Sequence, residues 1–365
     1  MADFSAYGVP SPEWDELTGV TDGASVKGFA AQGFLDLTGL DEIAETTPDD
    51  PAFVSRLEEL QRKTDASREI ESAQWWKDTG LKEKVSVEDV EIATRDGKSV
   101  PARLYRPKAG GPDKKYPVYM FFHGGGFLFG SLTGEDVTCS TIANALQILV
   151  VNVCYRHTPQ VRYPTPFHDA WDSFEWVSKN IDDFGGDSQL ITVGGISAGG
   201  GLAAYLTLEE NKRAPGAGRI KGQMLGAPWL LAPKLAPVNL LASKEVSAYH
   251  QCRDAPVLPA SSMALFQALL RQENPTDNYI QVSKDEEWAF KGMPKTAILV
   301  AGMDPLRDEA LLYGQELEKR GVSTSISIFP GLPHGFRRFK SLPSTPKWDK
   351  AHIDAIAWFF EPTTA

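Results

Sequence analysis

The chain has 365 residues, 42% hydrophobic and 23% charged, which is enough for one large α/β domain with an accessory region and too apolar for global disorder. Its formal net charge of -11, with no run of five Lys or Arg, argues against a nucleic-acid partner, because a negative surface repels phosphates. Cys139, Cys154 and Cys252 are too few and too scattered for a disulfide framework, and the absence of a Cys-x-x-Cys pair argues against a zinc site.

The opening residues show no charged segment followed by an apolar run. No stretch of about 18 apolar residues occurs either, so neither a secretory signal nor a membrane span is expected, and the expected compartment is the cytoplasm. Phe53, Val54, Leu57 and Leu60 recur at helical spacing, giving helices over 51–65 and 66–79. From residue 85 the pattern alternates, and Asp96-Gly97 is a turn signal, so 87–93 and 100–105 form a hairpin. Short apolar runs at 117–122 and 148–153 fit strands buried on both faces of a parallel sheet. Further strands are expected at 190–194, 222–227, 296–301 and 324–329. Helices are expected at 135–146, 167–180, 198–212, 308–320 and 348–360. Strands alternating with helices predict an α/β fold with a mostly parallel, doubly wound sheet. Residues 229–293 break that rhythm with a helical patch at 259–272, and an insertion of this size is usually functional.

Four local signals carry chemistry. Gly195-Ile196-Ser197-Ala198-Gly199 sits between a strand and a helix, the context of a nucleophile elbow, whose tight turn requires small neighbours. His123-Gly124-Gly125-Gly126-Phe127 follows a buried strand, and consecutive glycines let backbone N–H groups approach a ligand. Asp304 and Asp308 both lie beyond the strand at 296–301; Asp304 is closer to its end and is favoured, with Asp308 read as a helix cap. Among six histidines, His334 alone lies in a Gly/Pro loop directly after the last strand, so the chain order is Ser, Asp, His. His123, His157 and His168 are read as structural. Phe29, Phe34, Trp75, Trp76 and Trp229 could line an apolar pocket, although plain packing is the commoner role of such aromatics.

Taken together, His123 to Phe127, Tyr155-Arg156-His157-Thr158-Pro159-Gln160, Gly195 to Gly199, Asp304 to Glu309 and His334-Gly335-Phe336 resemble the hormone-sensitive-lipase-like (α/β-hydrolase-3) carboxylesterases, in a fungal form. The resemblance spans roughly residues 85–362. It implies an eight-stranded, mostly parallel sheet flanked by helices, with a helical cap. The expected division is a cap region over 1–85, a catalytic domain from 86–228 and 294–365, and a cap insertion over 229–293. It also implies a triad of Ser197, Asp304 and His334, an oxyanion hole from the N–H groups of Gly125, Gly126 and Ala198, and neither metal nor organic cofactor. Departures stand beside these motifs. Ile196 replaces an acidic residue, Gly201 an Asn, and His157, Thr158 and Gln160 fill the variable places of a Tyr-Arg-Leu-Ala-Pro-Glu stretch.

The expected activity is hydrolysis of small or medium carboxylic esters through an acyl-enzyme. The partner is then a small-molecule ester, and a homodimer is compatible with the sequence. A biosynthetic tailoring enzyme (deacetylase, lactone hydrolase, acyltransferase or non-hydrolytic cyclase) would use the same triad. A non-catalytic ligand receptor on the same fold is disfavoured by the retained His334.

Overall fold

The computed structural model describes residues 1–19, 37, 39–109, 114–272 and 288–361. Its centre is an eight-stranded sheet: β1 (Val85–Ala93), β2 (Ser99–Pro107), β3 (Tyr116–Phe122), β4 (Leu149–Val153), β5 (Gly186–Ile196), β6 (Ile220–Gly226), β7 (Lys295–Met303) and β8 (Thr324–Pro333). The spatial order is β1-β2-β4-β3-β5-β6-β7-β8, antiparallel across β1–β2 and β2–β4 and parallel elsewhere. The hairpin turns where Thr94 Oγ1 donates to Asp96 Oδ1 at 2.6 Å and Gly97 takes a φ of 76°.

Side chains alternate across the sheet with period two. On β3, Val118, Met120 and Phe122 enter one core, while Tyr119 and Phe121 enter the other. The first core is shared with α5 (Thr165–Asn180), α6 (Ala198–Arg213) and α9 (Arg307–Lys319). The second is closed by α4 (Asp136–Leu146) and α10 (Ser344–Phe359), with Trp14 of α1 (Pro12–Thr18) packed into it. Covering both faces is what permits the central strands β3 and β4 to be mostly apolar.

Three findings depart from the sequence reading. The helices expected at 51–65 and 66–79 are one helix, α3 (Pro51–Asp78), about 42 Å long at 1.5 Å per residue. Asp50 caps it, its Oδ1 accepting from Phe53 N at 2.9 Å, and nothing between Asp65 and Ser67 breaks it before the left-handed Gly80. Strand β8 runs four residues past Phe329, because a register shift lets Pro333 pair with Met303 and delivers His334 directly from the sheet. Residues 1–18 pack on the ends of β7 and β8: Ser11 N donates to Gly331 O at 3.1 Å, and a Cβ on Gly302 would lie 2.1 Å from Tyr7 O.

The remaining helices gather at the C-terminal ends of the parallel strands. α2 (Leu40–Thr46) packs on α8 (Ala260–Leu270), and α3 packs on α4 and the turn before it. Asp49 joins these segments by accepting from Arg162 and Arg271, at 2.5 and 2.8 Å. Among the described residues, no helix is long and apolar enough to cross a membrane.

Candidate active site

Ser197 stands between β5 and α6 with φ 57° and ψ -119°, a left-handed backbone costing about 1–3 kcal/mol for a residue with a side chain. The turn is held on both sides. Ser197 N donates to Gly226 O at 2.8 Å, and its carbonyl accepts from Gly201 N and Trp229 N, each at 3.0 Å. Its closeness explains the flanking glycines: a Cβ on Gly195 would lie 2.4 Å from Gly199 C, and one on Gly199 would lie 2.0 Å from Phe122 O.

The glycine loop after β3 lies against this elbow. A Cβ on Gly124 would be 3.0 Å from Ile196 O and 3.4 Å from Ser197 Cβ. Gly125 adopts a φ of 134°, and Phe129 O occupies the space its side chain would need. Leu128 N and Phe129 N both donate to Gly125 O at 3.0 Å and curl the loop, while no acceptor faces Gly125 N or Gly126 N among the described residues. Ala198 opens α6, where first-turn N–H groups have no acceptor within the helix.

His334 follows β8, and its Nδ1 shares a 2.6 Å hydrogen bond with Asp304 Oδ2. Because the carboxylate accepts, Nδ1 carries the proton and Nε2 presents a lone pair. The other carboxylate oxygen of Asp304 accepts from Leu306 N at 2.9 Å, fixing the side chain at the mouth of α9. Ser197 is 7% exposed, His334 8% and Asp304 1%, so solvent reaches the first two only narrowly.

Asp308 does not cap the helix. It lies inside the first turn of α9, where its Oδ2 accepts from Ala248 N at 2.6 Å and its Oδ1 from Arg307 Nε at 2.8 Å. Asp304 instead supplies the bond to the backbone at the helix start. His123 is buried, with Nδ1 3.0 Å from Gly124 O and its ring stacked 4.5 Å from Tyr155. Phe29 and Phe34 lie outside the described residues. Trp229 is buried, donates to Leu231 O at 2.6 Å and sits 5.4 Å from the ring of Phe127. These rings, with Phe167, Leu230, Leu231 and Leu270, line a cavity of about 30 Å³ beside the elbow.

Three supporting residues escaped the sequence reading. Gln61 on α3 donates from Nε2 to Leu128 O at 2.6 Å and Thr158 O at 2.8 Å, and Asp65 Oδ1 accepts from Gly130 N at 2.9 Å. The visible signal was a polar pair at i, i+4 continuing the face of Phe53 and Leu57. Glu309 is fully buried, and its Oε1 accepts from Leu230 N and Leu231 N at 2.6 and 3.3 Å. Burial pushes its carboxyl well above the ordinary carboxylate range.

A sequence profile of the alpha/beta hydrolase fold matches residues 119–338. The versiconal hemiacetal acetate esterase of Dothistroma septosporum is 29% identical over 277 residues, covering 74% of this chain and 81% of that protein. The ethyl acetate hydrolase of Pseudomonas putida is 31% identical over 266 residues, covering 70% and 77% respectively. A solved esterase of Pyrobaculum calidifontis superposes with a TM-score of 0.65 at 31% identity, over 81% of this chain and 92% of that one. The fold extends further in a vibralactone cyclase, with a TM-score of 0.78 at 24% identity over 97% and 96% of the two chains. With this match along more than half its length, the chain belongs to the α/β-hydrolase family, among the hormone-sensitive-lipase-like enzymes of carboxylesterase type.

Proposed function

We propose that the protein hydrolyses esters of short carboxylic acids through an acyl-enzyme on Ser197. The observation that carries this reading is the packing of the glycine loop against Ser197, which sets unpaired N–H groups beside a strained serine. In the proposed reaction Ser197 Oγ attacks the ester carbonyl carbon and its proton passes to His334 Nε2. Asp304 holds the imidazole tautomer and stabilises the imidazolium. The N–H groups of Gly125, Gly126 and Ala198 receive the oxyanion, each worth about 3 kcal/mol in the transition state. The carbon–oxygen bond to the alcohol then breaks, the alkoxide takes the proton from His334, and water repeats the sequence to release the acid.

One observation favours a short acyl group: both named curated relatives are, by name, enzymes of acetate esters. We place α2, α3 and α8 over the site as its cap.

The test is labelling with a fluorophosphonate together with kinetics on p-nitrophenyl acetate, butyrate and octanoate. Ser197→Ala is expected to lose the label and to lower kcat on the order of 10⁴-fold or more while keeping its circular dichroism. Activity near wild type in that variant, or faster turnover of octanoate than acetate, would overturn the reading.

A further inference from the structure

β3 and β4 are parallel neighbours whose last paired residues are Phe122 and Val153. The next residue on each strand, His123 and Cys154, therefore leaves the sheet side by side, and the turn after β4 brings His157 back to them. One ligating atom from each of these three side chains lies within 4.8 Å of the other two. The hydrogen bond at His123 fixes its tautomer: Gly124 O can only accept, so Nδ1 carries the proton and Nε2 the lone pair. Among the described residues, that Nε2 has no hydrogen-bond partner although it is fully buried, and neither has Nε2 of His157. Buried polar atoms are rarely left so.

We propose that His123, Cys154 and His157 form a binding site for one zinc-class divalent ion, distinct from the Ser197 site. Imidazole and thiolate are both donors that borderline-soft zinc accepts, and three of them leave a fourth position open. An imidazole whose other N–H donates to a backbone carbonyl is the usual second contact of a metal-bound histidine, and His123 has it already. A cleft of about 510 Å³ reaches His157 from the surface between Gln61, Asp65, Glu69 and Arg156. Asp65 and Glu69 on the wall of this cleft favour a cation arriving by this route.

Zinc bonds of about 2.3 Å to sulfur and 2.0–2.1 Å to nitrogen require the ligand atoms to approach one another to about 3.3–3.6 Å. Cys154 and His157 are half-buried on the turn after β4, and the proposal requires their side chains to move inward by the difference from 4.8 Å. On binding, the Cys154 sulfur–hydrogen bond gives way to a zinc–sulfur bond, and the proton leaves to solvent. The bound ion would join the root of the glycine loop to the turn after β4. Under this proposal His123 and His157, read as structural from sequence, would gain a second role as ligands.

The experiment uses tag-free, chelator-treated full-length protein, titrated with Zn²⁺ by calorimetry in two buffers and with Co²⁺ by absorption. Expected are one ion per chain, one proton released per ion, a raised thermal midpoint, and in the cobalt form a thiolate-to-metal charge-transfer band with intense visible bands of a four-coordinate site. Cys154→Ser should abolish the charge-transfer band. His157→Leu should weaken binding by more than about 100-fold, beyond what loss of an outer-shell partner costs. Wild-type protein that takes up no stoichiometric ion, or binds cobalt without the charge-transfer band, overturns the proposal whatever the variants do. Esterase turnover is read separately, so loss of the hydrolytic reading would leave this outcome unaffected.

Discussion

Asp304 and Asp308 are four residues apart and both buried, yet they face different work. Asp304 meets His334, whereas Asp308 pairs with the fully buried guanidinium of Arg307 and anchors Ala248. Asp304→Asn should therefore lower kcat on p-nitrophenyl acetate about 10⁴-fold with little change in thermal midpoint, since the imidazole would be held in the wrong tautomer. Asp308→Asn should leave kcat within a few-fold but cost about 3 kcal/mol in urea denaturation, because it strands a buried cation. The reverse pattern would exchange the two assignments. The sequence made this pair legible only in part: distance from the strand end favoured Asp304, but one of the second carboxylate's two partners, Ala248, lies 60 positions away. The glycines on either side of Ser197 were readable because each is demanded by backbone geometry that a local pattern reports.

At the scale of elements, α3 acts as a bar across the glycine loop. Replacing Gln61 with Leu leaves the carbonyls of Leu128 and Thr158 without their donor, at a cost of about 1–3 kcal/mol. Because Leu128 follows the glycines, the loop should also shift. We expect kcat for the acetate ester to fall roughly 10- to 100-fold with KM changed much less, as small misplacements of catalytic groups do. Steady-state kinetics beside urea melts separate the two effects, and an unaltered kcat would show that α3 does not position the loop. The helix itself was visible in the spacing of Phe53, Val54, Leu57 and Leu60. Its continuity was not, because the apolar spacing that marks its first half does not run on through Asp65-Ala66-Ser67. Gln61 pairs with a carbonyl 67 residues on, and such a contact leaves no local signature.

For the molecule as a whole, buried titratable groups set the pH range of stability. The imidazole of His123 is held at about 4, that of His157 at about 3, and that of His352 well below its usual value, each chiefly by burial. The unfolded chain binds these protons from about pH 6.5 downward and the folded chain does not, so stability is full above that pH and lost as it falls towards 4. At about 1.4 kcal/mol per pH unit, His123 alone accounts for on the order of 3 kcal/mol. Glu309 has the opposite sign. Its folded carboxyl keeps its proton above the ordinary range, so its contribution is present in acid and lost as pH rises. Thermal midpoints measured from pH 4 to 9 should therefore fall on the acid side. Glu309→Gln, which imitates the neutral carboxyl, should flatten any decline on the alkaline side. A wild-type midpoint that is level between pH 6.5 and 4 would contradict the account of the histidines.

The anchorage of residues 1–18 also bears on how the chain is made. Glu13 accepts from Ser344 N at 3.0 Å across 331 positions, and Ser11 reaches Gly331. At roughly 5–20 residues per second, the start of the chain waits about 20–60 s on the ribosome before those partners exist. The loops bearing Asp304 and His334 therefore gain this support only once residues 331–344 have been made.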